Sequence, residues 1–98
     1  MDPAALAGEL LLLAVQLLPF AEGTPWQGTL RFEISGLRAA LNNHKDTRPE
    51  LGRLKARRAR SLSLRAGYME GYLQGMSETA KETPLREAAA RALVSLNV

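Results

Sequence analysis

Three of the five prolines in this 98-residue chain directly follow a helix-capping residue: Asp2-Pro3, Thr24-Pro25 and Thr83-Pro84. Proline at the first helical position gives up no hydrogen bond and brings its φ already set. Asp or Thr before it offers an oxygen to the free N–H groups of the first turn. Thr24-Pro25-Trp26-Gln27 also has the spacing of a capping box, and Thr47-Arg48-Pro49-Glu50 repeats it with the proline one place later. The chain thus carries four helix starts, near residues 3, 25, 48 and 84. The remaining proline, Pro19, stands where the first apolar run stops.

Helical periodicity follows each start. Trp26, Leu30, Ile34, Leu37 and Leu41 recur at the spacing of one helix face. Leu51, Leu54, Leu62, Met69, Leu73 and Met76 share one side of a later helix, and Leu85, Ala89, Ala92 and Leu96 one side of the last. Thr29 to Ile34 alternates like a short strand, but the longer period through Leu41 outweighs it. The expectation is an all-α fold, a compact four-helix bundle forming a single domain over 1–98, with helices at about 3–18, 25–43, 48–78 and 84–96. The third, about 45 Å long at the usual rise, should outreach its neighbours or kink near Ser61-Leu62-Ser63.

The first helix differs in kind. Between Leu6 and Leu18 only Gly8, Glu9 and Gln16 interrupt the apolar residues. A helix apolar nearly all round needs cover nearly all round. The run reads as too short and interrupted for a membrane span, and it lacks the basic segment and cleavage site of a signal peptide. No membrane role and a cytoplasmic location are expected. In so small a domain, leftover apolar surface seeks a partner. Leu6, Leu10, Leu13 and Leu17 are therefore candidate interface residues, and an oligomer or a larger complex is expected.

Charge is unevenly placed. Between Lys45 and Arg65 lie eight of the thirteen cations and only Asp46 and Glu50, so this window carries +6 and the rest of the chain −3. Cations in the first turns of a helix oppose its macrodipole, and like charges four apart, such as Arg53 and Arg57, cost about 0.2–0.5 kcal/mol. Helix stability does not favour this arrangement. Guanidinium groups bind phosphate bidentately and stay charged, so Arg48, Arg53, Lys55, Arg57, Arg58, Arg60 and Arg65 are candidate contacts to a nucleic-acid backbone, RNA or DNA. Arg53, Arg57 and Arg60 share one edge, while Arg58 and Arg65 fall in the apolar sector and need an acid, a snorkelling path or a partner. No aromatic residue lies inside the window, so backbone contact without base stacking, indifferent to sequence, is expected. A solvated helix face is the plainer reading of the same residues.

Further along the same helix, Gly67, Gly71 and Gly75 form GxxxGxxxG with Tyr68 and Tyr72 between them. Each glycine costs about 1 kcal/mol against alanine inside a helix, and their absent side chains admit another backbone. Over nine residues this ladder resembles the glycine-repeat helices of flagellar and type III secretion stator proteins and of Yae1-like assembly factors; it is read as packing chemistry, either a dimer or partner seam or close packing within the chain. Trp26-Gln27-Gly28 resembles the WxG turn of small secreted helical hairpins, although Trp26 as core filling at a helix start accounts for it more simply.

Catalytic signals are sparse. The chain has no cysteine and one histidine, so thiolate chemistry and His-rich metal sites are excluded and neither metal nor cofactor is expected. Arg38 and His44 resemble in spacing the Arg…His pair of HEPN-type helical ribonucleases, which would imply charge stabilisation by Arg38 and acid–base work by His44. The leading expectation is a non-enzymatic nucleic-acid-binding protein, a subunit of a nucleoprotein assembly or a homodimer. In size, helicity and charge it is similar to the small helical subunits of CRISPR effector complexes. The alternative is a protein-interaction adaptor using the glycine ladder and the Leu-rich first helix.

Overall fold

Each helix start and stop has a local cause. The computed structural model describes residues 2–45 and 52–96, with residues 52–54 as backbone only, and its four helices are α1 (Pro3–Ala21), α2 (Gln27–His44), α3 (Gly52–Thr79) and α4 (Thr83–Leu96). Asp2 caps α1, its Oδ2 accepting from the Ala5 amide at 3.2 Å. The helix runs through Pro19 rather than stopping at residue 18. Pro19 is exposed, so the Val15 carbonyl that it leaves without an amide partner is on the solvent side. Termination comes at Glu22 and Gly23, where Gly23 takes φ 78°, a left-handed conformation that glycine adopts without strain.

The Thr24 hydroxyl then joins two helices. It donates to the Ala21 carbonyl at 2.7 Å and accepts from the Trp26 amide at 3.2 Å. Gln27 reaches back to accept from the Gly23 amide at 3.3 Å. The capping-box chemistry is present, but Pro25 and Trp26 form a turn and α2 begins two residues later than expected. The stretch from Thr29 to Ile34 is helical. At the last connection the Glu82 carbonyl accepts from the Arg86 amide, so α4 begins at Thr83, one residue early. Arg86 Nη1 donates to the Ala80 carbonyl at 2.9 Å and fastens the end of α3 to α4. The expected third start, Thr47 to Glu50, lies outside the described residues.

These elements form an all-α four-helix bundle. α1 and α3 each pack against all three other helices, while α2 and α4 lie on opposite sides of that pair. The core is aliphatic, with Leu10, Leu30, Leu37, Leu62, Met69, Leu73, Met76 and Leu85 fully buried and no buried polar or charged residue among the described residues. Along α2 and α4 the buried positions include Leu30, Ile34, Leu37, Leu41, Leu85, Ala89 and Ala92 of the sequence periodicity, with Ala40 and Ala88 added and Trp26 and Leu96 only half-buried; on α3 the agreement covers Leu62, Met69, Leu73 and Met76, and Leu51 and Leu54 lie outside the described side chains.

Helix α1 corrects two expectations. It has 19 residues and by length and composition is long and apolar enough to cross a membrane, so neither brevity nor interruption excludes that. Nor is it wrapped on all sides. Ala7, Leu10, Ala14, Leu17 and Ala21 face the core, whereas Leu12, Val15 and Phe20 are exposed. Leu10 and Leu17 are thus core residues of this chain, not surface for a partner, and Leu6 and Leu13 are half-buried beside them. Truncating a buried leucine costs about 2–5 kcal/mol, while an exposed one costs within about 0.5 kcal/mol. Leu10→Ala should lower the urea midpoint sharply and Leu12→Ala should leave it nearly unchanged. Equal losses would show that the outer face of α1 is covered as well.

Candidate nucleic-acid interface

Helix α3 is longer than its surroundings. Its 28 residues span about 42 Å, against a longest molecular dimension of 47 Å. The start of α1 sits at the middle of α3, where Pro3 and Leu6 line a notch with Ser63, Ala66, Gly67 and Glu70. The turns of α3 before residue 62 therefore run past the beginning of α1. Lys55 shows the consequence. It stands seven residues before Leu62, on the same helix face, yet Leu62 is fully buried and Lys55 is exposed. Of the basic window, Lys55, Arg57, Arg58 and Arg60 lie in these turns.

The overhang sorts the expected cations into separate groups. Arg57 and Arg60 are both exposed and lie about 60° apart around the helix, so they share one edge. Lys55 is exposed but about 160° from Arg57, on the other side of the rod. Arg58 is half-buried and already engaged in an interaction. Arg65 is half-buried and folds onto α2, where a Cβ at Gly36 would stand 2.9 Å from its Nη1 and 3.2 Å from its Cζ. Glu33, three residues before Gly36 on α2, has its Oε2 closed off from solvent without a hydrogen-bond partner among the described residues. Arg65 is therefore committed to the bundle rather than to the Arg57/Arg60 edge. Arg48 and the side chain of Arg53 lie outside the described residues.

The seat of Arg65 on Gly36 also sets the register of α2 against α3. A second contact agrees with it: Trp26 meets Tyr72 edge to face with ring centroids 5.3 Å apart, and the Tyr72 hydroxyl donates to the Trp26 carbonyl at 3.4 Å. The helices are antiparallel, so one turn back from Gly36 along α2 is one turn forward from Arg65 along α3. This places Phe32 level with Tyr68. Both are exposed, at 64% and 51%, and Leu64 next to them on α3 is 55% exposed. Sequence reasoning missed this cluster because it sought aromatics only between Lys45 and Arg65. The available signal was Phe32 itself, an aromatic lying off the Trp26–Leu41 core stripe.

The glycine ladder divides too. A Cβ at Gly75 would lie 3.9 Å from Trp26 Cη2, so that position is filled from within the chain, while Gly67 and Gly71 meet nothing within 4 Å. Arg38 and His44 stand about 9 Å apart along α2 and about 120° apart around it, so they do not converge. Among the described residues no group of three His, Asp or Glu is placed to hold a metal ion. The chain matches no protein-family model, and no curated protein or solved structure is significantly similar to it.

Since Gly67 and Gly71 face open space, alanine at both should stabilise the isolated chain by about 1–2 kcal/mol through helix propensity. This should raise the thermal midpoint by about 4–8 °C per kcal/mol in circular dichroism. Gly36→Ala should gain less, because Arg65 must leave its seat. A fall in the midpoint of the Gly67/Gly71 variant would mean that another backbone occupies that face.

Proposed function

We propose that this chain is a non-enzymatic nucleic-acid-binding protein that grips the phosphate backbone with the overhanging start of α3, working in the cytoplasm as a homodimer or as a subunit of a nucleoprotein assembly. The observation that carries this reading is the joint exposure of Arg57 and Arg60 on one edge of a helix that has outrun α1. Two neighbouring guanidiniums on one exposed helix edge can each take a phosphate oxygen pair. Lys55 adds to the local potential from the other side, and Arg53, four residues before Arg57, extends the edge by sequence. Such binding is electrostatic and indifferent to base sequence.

A second reading rests on its own observation. Leu12, Val15 and Phe20 leave an apolar strip along α1, beside a groove lined by Leu13, Leu17, Ala88, Ala92 and Arg91. This face suits helix-against-helix association, by which the chain would serve as an adaptor or dimerisation module.

The two readings separate experimentally. For the first, anisotropy titrations of a labelled oligonucleotide across a salt series are compared for wild type and Arg57→Glu/Arg60→Glu. Removing two phosphate contacts should flatten the log–log salt slope by about 1.4 for a single strand and weaken binding severely, with helicity unchanged. Wild-type affinity in this variant would sink the assignment. For the second, light scattering should show a mass above one chain for wild type and a monomer for Leu12→Glu/Phe20→Glu; a wild-type monomer at every concentration would dispose of it.

A further inference from the structure

Phe32 and Tyr68 have no evident duty in the fold. Both lie outside the buried core, and the core closes without them. Exposed aromatic rings at one level of two neighbouring helices form an apolar surface that water covers poorly. Their location gives them chemistry. Tyr68 follows Arg60 by eight residues on α3, about 12 Å along the helix. Leu64 stands between them, four residues from each and also exposed. Guanidiniums that attract phosphate and rings that accept a base face therefore succeed one another along a single surface. A duplex keeps its base faces stacked inside, so rings on a protein surface gain nothing from it. A single strand offers those faces freely.

We infer that Phe32 and Tyr68 form a base-stacking platform beside the Arg57/Arg60 edge, and hence that the ligand is single-stranded nucleic acid. This rests on the nucleic-acid reading above and narrows it. Stacking tolerates any base, because every base has a π face, so the platform adds affinity without sequence preference. It also replaces the expectation of backbone contact alone, which followed from looking for aromatics only within the basic window.

The test uses an oligothymidine of about 12 nucleotides carrying a central 2-aminopurine, and a hairpin duplex with the same number of phosphates. Anisotropy at fixed salt should show the single strand bound more tightly than the hairpin, with 2-aminopurine fluorescence quenched on binding. Phe32→Ala/Tyr68→Ala should weaken single-strand binding by at least about tenfold, abolish the quenching and leave hairpin binding as in wild type. Both positions are exposed, so the variant should retain its circular dichroism spectrum. If it binds the single strand as wild type does, the platform is overturned while the arginine reading stands. If wild type binds neither oligonucleotide, both fall. A variant that loses single-strand and hairpin binding equally would also overturn the platform, because stacking predicts a difference between them.

Discussion

A 28-residue helix packed against neighbours of 19, 18 and 14 residues is matched in length by none of them, and α1 joins it only from its middle onward. The covered part of α3 is read from its buried positions, Leu62, Ala66, Met69, Leu73 and Met76, which recur at steps of three and four. Upstream on the same face Lys55 is exposed. Solubility alone does not select arginine, however. Alternating Glu and Lys would keep the overhang soluble and add about 0.2–0.5 kcal/mol for each pair four residues apart. The chain instead places like charges together in the first turns, where the helix dipole also opposes them. The overhang is less stable than it could be, and that cost is the argument that it meets something anionic.

Helix number, order and core stripes were legible because they rest on local chemistry. An oxygen before a proline, and a leucine every three or four residues, act over one turn or two. What was not legible depends on how helices of unequal length stand beside one another. Arg65 read only as a cation in the apolar sector; the register against α2 is what seats it on Gly36. The three glycines read as one ladder, yet Trp26 occupies the position beside Gly75 and none of the described residues approaches Gly67 or Gly71. Phe32 was visible only as an aromatic out of phase with its own helix; that it comes level with Tyr68, 36 residues away, follows from a three-dimensional register that no local spacing encodes.

Helix α1 shows the limit of composition as a guide to burial. Its residues are apolar almost all round, and the inference that they are covered all round follows only if the bundle has enough neighbours to supply the cover. Three helices pack on it, and they close one side. A domain of this size has much surface for its volume, so a helix suited to a deep interior ends at the boundary. Leu10 and Leu12 differ by two positions and by complete burial against 60% exposure. The distinction rests on which side the neighbours take.

The two halves of the charge distribution also need a length scale before they mean anything. A net charge of +3 describes the molecule from far away. Near it, the basic first turns of α3 and the acidic residues Glu78, Glu82 and Glu87 sit towards opposite ends, with Arg57 and Glu78 separated by 21 residues of one helix, about 32 Å. At physiological ionic strength the screening length is about 8 Å. Glu78 is thus roughly four screening lengths from Arg57 and does little to the field there. On the proposed nucleic-acid reading, a polyanion is drawn first to these cations. From there, moving along α3 away from the cations, the first surface it encounters is Leu64, Tyr68 and Phe32. An approach ordered in this way favours a ligand with charge along its backbone and flat apolar faces available at its side.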